Sequence, residues 1–389
     1  MTAPQWPDER MPNYAQAQKQ LQLLAGIHAA LTKDVQEDDY ETIKRIIVNG
    51  GGPSAFPVGT VLHTVKDNYT YPWMFVHHGQ HADGRYYAHL RVMKAVDQLQ
   101  FDSPEAFYYC SEALPAGTYY FNVPTAWSKL LAGNYQFTLS SAVPAGGRLA
   151  GLDSLADGNG LTGKSVKVYD SANSMVVAQT AAITTGDAGT YLGLLQTGGD
   201  TDHPNMNSVQ RAGYGSNNYA QSNIYQYLKS AKAAGQVWSS SNKFDNAPSW
   251  AASQPGFLTK LPQEFIDIVN PVSMKTITNN VFEVDYTKSS NFTTKEKFWL
   301  PSRYQIFGST EGSDLSEEQW DYYKGASDTD RIMFDNGGTA RYQWLRSPYP
   351  GHAYHVRSVY TSGAMNSVSA YSTLAVAPAC EISENLLDS

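Results

Sequence analysis

The sequence predicts an α+β protein with more than one folded unit, and three observations lead to that prediction. Its 389 residues exceed what a single hydrophobic core usually organises. A helix-forming N-terminal segment changes after Gly50-Gly51-Gly52-Pro53 into short β-branched and aromatic runs. After about residue 200 helical patterns come first and strand patterns follow, the order typical of an α+β domain. We therefore expect a helical segment over residues 1–52, a β-rich, sandwich-like domain over 53–200 and an α+β domain over 201–389.

The N-terminal segment carries two helix patterns. Good helix formers dominate residues 13–33, and apolar or aromatic side chains recur there at steps of three and four: Tyr14, Ala17, Leu21, Leu24, His28 and Leu31. This spacing fits a helix docked on its own domain and also fits a short oligomerisation seam. A second helix is predicted with Asp38 or Asp39 as its cap and the glycine run as its end, and its apolar face comprises Ile43, Ile46 and Ile47.

Strand patterns dominate the middle of the chain. Alternating or β-branched and aromatic runs, separated by turn residues, occupy residues 60–65, 73–77, 86–92, 117–123 and 135–139. Residues 166–169 and 175–178 predict one further hairpin.

The C-terminal half begins with three helix patterns. Ser222 or Asn223 is positioned to cap the first, which carries Ile224, Tyr227 and Leu228. Residues 262–269 predict the second, ended by Asn270-Pro271, and the acidic residues 316–323 predict the third. Strands follow to the C-terminus.

Composition excludes several classes of partner. The net charge of -8 argues against nucleic acid, since phosphate binding needs clustered Lys and Arg. Only 16% of residues are charged whereas 26 are Tyr, so we expect a polar, aromatic surface. No run approaches the roughly 18 apolar residues of a membrane span, and the first ten residues lack the design of a signal peptide. We expect a soluble protein without membrane insertion.

Three local patterns resemble catalytic or metal sites. Residues 158–165 match the phosphate-loop spacing, but a strand-like run follows where that loop needs a helix. A histidine group, His77, His78, His81 and His89, is predicted to be surface or hydrogen-bonded, because adjacent strand residues point to opposite faces. The two cysteines, Cys110 and Cys380, are predicted to be buried free thiols.

Enzymatic chemistry has little support in the sequence. There is no Gly-x-Ser-x-Gly elbow, and neither cysteine has a reactive local setting. The nearest carboxylate pair, Asp200 and Asp202, fits a turn. We therefore expect a protein that is not an enzyme.

The C-terminal stretch after Trp344 combines a fixed frame with a polar middle. Apolar residues that would bury their side chains and set the register are Trp344, Leu345, Val356, Val359, Val376 and Ile382. Between them lie Tyr, His, Ser and Thr, which offer contact area and adaptable hydrogen bonds, and residues 361–363 supply a turn. The stretch predicts a rigid display surface.

The C-terminal half resembles one known family. Short motifs occur in a specific order at residues 211–218, 242–245, 248–250, 256–258, 299–302, 306–308, 344–348 and 376–379. Together they look like the C-type-lectin-fold variable proteins of diversity-generating retroelements, as found in gut phages, over about residues 205–382. The resemblance implies that residues 201–389 form a C-type-lectin-like ligand-display domain.

The resemblance also implies which residues vary. In this family a reverse transcriptase miscopies template adenines, so an AAY codon for Asn can become Tyr, His, Ser, Thr, Asp, Gly, Arg or Val. The candidate ligand-binding residues belong to that set: Tyr349, Gly351, His352, Tyr354, His355, Arg357, Ser358, Tyr360, Ser367, Val368, Ser369, Tyr371, Ser372 and Thr373. We expect four of them to be the leading contacts: Tyr354, His355, Tyr360 and Tyr371. A polar hairpin surface without this history is the alternative.

Cofactors are not expected. Calcium-binding lectins use Glu-Pro-Asn or Gln-Pro-Asp and Trp-Asn-Asp triplets, which the sequence lacks, Gln254-Pro255-Gly256 being the nearest. We therefore expect neither a bound metal nor a sugar ligand from the resemblance.

The function implied by the resemblance is that of a phage-encoded receptor-binding or adhesion protein on the virion surface or tail. Its expected partners are a bacterial surface receptor, protein or glycan, and other virion proteins. Because homotrimers occur in this family, a homo-oligomer is expected. The alternatives are a structural virion decoration protein without a dedicated ligand and a surface-glycan hydrolase, which would need a pair of carboxylates in a cleft.

Overall fold

The computed structural model describes residues 39–104, 106–109, 113–123, 133–144, 148–150, 167–169, 175–177, 184–185, 190–191, 214–240, 245–278, 290–309, 317–349 and 354–384. The predicted helix over residues 13–33 lies outside them, as do Cys110 and the phosphate-loop pattern at 158–165.

The described elements are short helices and many strands. The α-helices are α1 (Tyr40–Val48), α2 (Gly52–Ala55), α3 (Asn223–Leu228), α4 (Gln263–Ile268) and α5 (Arg303–Phe307). Single 3-10 turns occur at Tyr219–Gln221, Phe257–Lys260, Asp321–Tyr323 and Asp328–Arg331.

The first strands, up to residue 191, are β1 (Val61–Lys66), β2 (Tyr69–Gln80), β3 (Tyr86–Val92), β4 (Asp97–Gln100), β5 (Ala106–Tyr109), β6 (Gly117–Val123), β7 (Gly133–Leu139), β8 (Arg148–Ala150), β9 (Lys167–Tyr169), β10 (Met175–Val177), β11 (Thr184–Thr185) and β12 (Thr190–Tyr191). The later strands are β13 (Val269–Asn270), β14 (Val272–Thr278), β15 (Ser290–Glu296), β16 (Phe298–Trp299), β17 (Met333–Phe334), β18 (Ala340–Arg341), β19 (Gln343–Pro348), β20 (His355–Val359), β21 (Met365–Ser369), β22 (Thr373–Val376) and β23 (Ala379–Ser383). The fold class is α+β, as predicted.

The largest sheet joins the two ends of the described chain. Its order is β1-β2-β3-β23-β13, with β16 also paired to β23, and all neighbours are antiparallel. Leu90 of β3 faces Cys380 of β23, and both side chains are fully buried. The strand nearest the C-terminus is therefore held by a strand that the sequence assigned to the preceding domain.

A second sheet, with the order β21-β20-β19-β22-β4, carries the predicted display stretch. Strands β19 and β22 are parallel, whereas the other neighbours are antiparallel. The edge strand β4 pairs with β22 through Leu99 and Leu374. This sheet too takes one strand from the N-terminal side of the chain.

One buried cluster unites these segments, and it corrects the predicted domain boundaries. Trp73 of β2 is fully buried and its ring lies 5.1 Å from Phe265, 5.7 Å from Phe298 and 6.5 Å from Phe257. The cluster runs from Tyr40 to residue 382. Residues 40–103 therefore share a core with residues 214–383, since strand pairing joins segments that lie far apart in sequence.

The helix patterns are confirmed where tertiary contacts agree with them. Helix α1 buries Ile43, Ile46 and Ile47 as predicted, although Asp39 makes no side-chain capping bond. Ser222 caps α3 by accepting a 3.1 Å hydrogen bond from the backbone N–H of Tyr225.

The predicted acidic helix over residues 316–323 is wrong. Within the described residues 317–323 only a 3-10 turn forms, at Asp321–Tyr323, and the side chains make contacts with distant strands. Trp320 is fully buried and its Nε1 donates to His89 Nδ1 at 2.9 Å, while Glu317 pairs with Arg346. These contacts fix the segment in a conformation that a continuous helix would not allow.

Of the strands predicted for the middle of the chain, the first three are β1, β2 and β3 of the largest sheet, and the later ones lie in two further sheets, ordered β10-β9-β8-β5 and β11-β7-β6-β12. The predicted hairpin is confirmed, because β9 and β10 pair antiparallel. Cys380 is a buried free thiol, as predicted. Within the described ranges, no helix has the length and apolar character needed to cross a membrane.

Candidate ligand-display site

Strand β19 forms the floor of the candidate site. All six of its residues are buried. Trp344 donates from Nε1 to the Leu99 carbonyl at 2.9 Å, and its ring meets Phe101 edge to face at 5.5 Å. The predicted frame residues are confirmed, since all are fully buried: Trp344, Leu345, Val356, Val359, Val376 and Ile382.

The candidate ligand-binding residues fall into four groups. The exposed ones are Tyr360, Tyr371 and Thr373. The half-buried ones are Tyr349, His355, Ser367, Val368, Ser369 and Ser372. The buried ones are Tyr354, Arg357 and Ser358. Gly351 and His352 lie outside the described residues.

The outward-facing prediction is wrong for Tyr354, Arg357 and Ser358. These side chains are 6%, 8% and 0% exposed. Arg357 and Ser358 are consecutive in β20 and point to opposite faces of the sheet, so both faces are covered at this point. The Arg357 guanidinium lies 4.3 Å from the centre of the Tyr349 ring. Burial raises the pKa of the Tyr354 phenol above its usual range.

A tyrosine cluster, defined as Tyr214, Tyr349, Tyr354, His355 and Tyr371, packs around the start of β20. Tyr214 and Tyr354 are stacked at 4.6 Å, and Tyr371 lies 5.8 Å from Tyr214. His355 meets Tyr354 at 4.4 Å and Tyr349 at 6.0 Å. Solvent exposure within the cluster thus increases from Tyr354, which is buried, to Tyr371, which is 40% exposed.

Backbone hydrogen bonds hold the cluster in place. The Tyr371 N–H donates to the Tyr214 carbonyl at 2.8 Å, and the Tyr349 N–H donates to the His355 carbonyl at 2.9 Å. Asn217 Nδ2 also donates to the His355 carbonyl, at 3.2 Å. Because the bond at Tyr371 comes from its main-chain N–H, it can persist when the Tyr371 side chain is changed.

Tyr214 and Asn217 are site residues that the sequence analysis missed. Gly215, between them, has φ 75°, and a Cβ there would lie 2.6 Å from the Asp102 carbonyl oxygen. The Ser216 N–H donates to the Asp102 carboxylate at 2.9 Å. The available signal was the motif at 211–218, which was used for the resemblance but not for the site.

A second exposed aromatic group lies at the β20–β21 turn. Tyr360 is 41% exposed and meets Tyr342 edge to face at 4.4 Å. The predicted turn at 361–363 is confirmed, because the Gly363 N–H donates to the Tyr360 carbonyl at 2.9 Å. The sheet β21-β20-β19-β22-β4, called the display sheet below, therefore presents aromatic rings at both ends of β20.

The histidine group forms hydrogen bonds, as predicted. His81 and His89 each approach one oxygen of the Glu381 carboxylate at 3.1 Å, and His77 Nδ1 lies 2.9 Å from Asp321. Burial alone would raise the pKa of Glu381, but the bonds from both imidazoles and Ser383 hold it below its usual range. In the part of the chain that the structure describes, no three such side chains are placed to hold a metal ion.

Comparison with known proteins locates a family match in the C-terminal half. Residues 193–384 match a family described as a domain of unknown function (DUF6273). No curated protein and no solved structure matches the chain. The matched segment contains the tyrosine cluster and β13 to β23, but not β1 to β4.

Proposed function

We propose that the protein is a phage receptor-binding or adhesion protein whose C-type-lectin-like domain displays a diversified surface to a bacterial ligand. One observation carries the proposal: polar and aromatic side chains of the retroelement-accessible types lie on a sheet whose frame residues are fully buried. Substitution at exposed positions on such a frame costs little stability, so a surface of this kind tolerates variation.

The burial pattern narrows the proposed contact surface. Tyr371 and Thr373 are exposed beside the half-buried His355 and Ser372, and Tyr360 is exposed at the turn. Tyrosine suits this role because its ring buries a large area with few rotors to freeze. Tyr354, Arg357 and Ser358 become part of the frame in this proposal.

Weak contacts of single copies would be multiplied in an oligomer on the virion. A linked second copy raises the effective concentration of the ligand, so avidity exceeds single-site affinity by a factor on the order of 10². Scattering and sedimentation that both report a monomer at working concentration would remove this part of the proposal.

The retroelement origin is tested in the DNA beside the coding sequence. The proposal requires a near-copy of the segment encoding residues 344–382 that differs mainly at adenines, next to a reverse transcriptase gene. It also requires isolates to differ at the exposed and half-buried candidates and hardly elsewhere. A tail sequence that is fixed across isolates would favour the structural decoration protein instead.

Ligand binding is tested on bacterial cells. Fluorescent protein is incubated with a panel of gut bacterial strains, and strains that retain it are used to compare Tyr371→Ala, Tyr360→Ala and Phe334→Ala. Phe334 is 42% exposed but lies on β17, outside the display sheet, so its variant is the matched control. We expect the two tyrosine variants to lose binding and Phe334→Ala to retain it. Equal loss in all three would contradict the assignment of the surface.

A further inference from the structure

Strand β1 is an edge of the largest sheet. Among the strands that the structure describes, it pairs with β2 alone. Its side chains alternate between the two faces of the sheet: Leu62 and Thr64 are buried, whereas Val61 and Val65 are each 41% exposed. An edge strand presents a row of backbone donors and acceptors, which is a template for pairing with a further strand.

The pairing with β2 shows which backbone groups point toward this open edge. The Phe75 N–H donates to the Thr60 carbonyl at 2.9 Å, so these residues are a hydrogen-bonded pair just before β1 begins. Hydrogen-bonded and non-hydrogen-bonded pairs alternate along an antiparallel ladder, so the even-numbered residues of β1 direct their backbone groups at β2. The N–H and C=O groups of Val61, His63 and Val65 therefore point away from β2.

The turn between β1 and β2 agrees with this alternation. Lys66 and Tyr69 face each other across a two-residue turn in which Asp67 has φ 53°. A β-turn is typically closed by a hydrogen bond between its first and last residues, so Lys66 bonds to β2 as Thr60 does. Both ends of β1 thus give the same assignment.

The open edge lacks the features that usually prevent strand pairing. Natural edge strands carry Lys, Pro or a β-bulge, which stop a second chain from adding to the sheet. The run from Val61 to Val65 contains no charged residue and no proline, and its register with β2 is unbroken. Its three outward-directed residues, Val61, His63 and Val65, also have exposed side chains. The strand is therefore suited to pairing with a further strand.

This edge is complementary to itself. In an antiparallel pair of two β1 strands related by a two-fold axis at His63, Val61 of each copy lies opposite Val65 of the other. Every outward N–H and C=O group of these three residues then has a partner. A shift of the register by two residues would leave one of the three unpaired in each copy. The register centred on His63 is thus the one that uses the whole edge.

The side chains fit the same register. Directly opposite residues of an antiparallel pair lie on the same face, so Val61 would pack against Val65 of the second copy, a contact between β-branched side chains. Lys66, the charged residue at the end of β1, would lie opposite Thr60 and not opposite a like charge. The same surface would serve both copies, as in a two-fold symmetric dimer.

We propose that the protein forms a two-fold dimer in which the β1 strands of two copies pair antiparallel about His63, so that the largest sheet continues from one copy into the other. The occupant is a second copy because the edge matches itself in both its backbone groups and its valines. The inference names an interface for the oligomer of the proposed function and uses a different sheet from the proposed receptor surface.

Sedimentation equilibrium of the full chain measures the dimer directly. At about 100 μM we expect a mass twice the 42.8 kDa of one chain. At about 1 μM the mass should fall toward that of the monomer, because an interface formed by one short strand pair is at the weak end of specific interfaces.

Two double variants test the register. Val61→Lys with Val65→Lys places like charges opposite each other at both outer pairs, and Val61→Glu with Val65→Glu does so with the other sign. Each should raise the dissociation constant of the dimer at least about tenfold. An equal mixture of the two should restore the dimer, because opposite charges then meet. Phe334→Lys, at a 42% exposed position of β17, is the matched control and should keep the wild-type mass.

A cysteine on the two-fold axis gives an independent readout. In the proposed register the Cα atoms of the two His63 residues lie about 5.5 Å apart, a separation that a disulfide spans. His63→Cys should therefore form a disulfide-linked dimer under mild oxidation. The controls are Val58→Cys, 37% exposed but outside β1, and the wild-type chain with its own two cysteines. Both should run as monomers on a non-reducing gel.

Three results would overturn the proposal: a monomeric wild type at about 100 μM, folded double variants that keep the wild-type mass, and a mixture of the two that stays monomeric. If circular dichroism shows that the double variants do not fold, the wild-type mass and the His63→Cys cross-link decide the question. An oligomer that persists in every variant would remove this interface but leave the avidity part of the proposed function in place. Cell binding by Tyr371→Ala is measured separately, so the receptor proposal is judged by its own result.

Discussion

Tyr354 and Tyr371 show how two residues of one type, in contact with the same neighbour, take different roles. Both rings pack near Tyr214, at 4.6 Å and 5.8 Å. Tyr354 is 6% exposed whereas Tyr371 is 40% exposed. Residue type alone placed both among the leading contacts, and only their burial distinguishes frame from display.

Replacing each of these tyrosines by Ala should separate the two roles. Tyr354→Ala removes a buried ring and should lower the free energy of unfolding by about 3 kcal/mol. Tyr371→Ala should lower it by only about 1 kcal/mol, since Tyr371 is 40% exposed and a smaller part of its ring is packed than in Tyr354. Urea unfolding followed by fluorescence measures both. Equal destabilisation would show that Tyr371 belongs to the core.

One residue, Glu296, allows a prediction of how the stability of the protein depends on pH. It is 3% exposed and accepts hydrogen bonds from Thr294 at 2.6 Å and Tyr219 at 3.1 Å. Burial raises its pKa from 4.5 to about 7, against the opposing effect of those bonds and of Arg346. Between these two values the folded state keeps a proton that the unfolded state loses, so the free energy of unfolding falls as pH rises.

Glu296→Gln should remove that loss. Relative to the wild type, the variant should gain about 3 kcal/mol of stability between pH 4.5 and pH 8. Urea unfolding at several pH values measures the difference, and Glu264→Gln, at an exposed position of α4, is the control. A difference that does not change with pH would show that Glu296 ionises normally in the folded protein.

At the scale of elements, the β20–β21 hairpin depends on one glycine. Gly363 has φ 87°, and a Cβ there would collide with the backbone of Asp328. The position therefore requires glycine for its conformation and for its close approach to a neighbouring turn.

Gly363→Ala should destabilise the protein more than Gly325→Ala does. Gly325 also has a positive φ, 75°, but a Cβ there would meet nothing within 4 Å. The control thus carries only the conformational cost, about 1 kcal/mol, whereas Gly363→Ala adds a backbone collision and should cost about 3 kcal/mol or more. Equal midpoints of thermal unfolding for the two variants would contradict the close contact with Asp328.

Elements were predictable where a local pattern and tertiary packing require the same thing. Strand β3 has the bounds predicted from its alternation, and α1 buries the three isoleucines that its spacing indicated. The acidic run before Tyr323 failed because Trp320 and Glu317 make contacts with distant strands. Helix propensity could not reveal those partners. His89 lies more than two hundred residues from Trp320 in sequence, and Arg346, the partner of Glu317, lies on strand β19.

For the candidate site, the sequence predicted the buried frame residues but not the side chains that pack over them. Trp344 and Val359 were assigned to the core by their apolar character alone, correctly. The resemblance and the residue types then placed both Ser358 and Arg357 outside, although consecutive strand residues point to opposite faces of a sheet. Tyr214, which stacks on Tyr354, comes from a segment remote in sequence, so residue type could not show that contact.

For the whole molecule, the strand order decides what folds together. Strand β3 lies between β2 and β23 in the large sheet, and β4 forms the edge of the display sheet next to β22. Composition and glycine runs mark changes along the chain but contain no information about pairing partners. The matched family segment at 193–384 therefore does not include β3 and β4, which complete the two sheets around its core.

A fragment of residues 193–384 should not fold by itself. It lacks β3 and β4, so β23 and β22 would each expose an unpaired edge. It also lacks Trp73, around which Phe257, Phe265 and Phe298 pack. Losing a fully buried tryptophan costs about 3–5 kcal/mol, a large part of the stability of an average domain, and the missing strands add to this loss.

Circular dichroism and the dispersion of amide resonances measure the folding of this fragment. We expect no cooperative thermal transition for residues 193–384 alone. Co-production with a second fragment, residues 39–104, should restore one, because that fragment supplies β1 to β4 and helix α1. A scrambled version of the second fragment is the control, and it should restore nothing. If residues 193–384 alone gave dispersed resonances and a sharp transition, the joint core of residues 40–103 and 214–383 would be dispensable for folding, and the display sheet would be stable without its β4 edge.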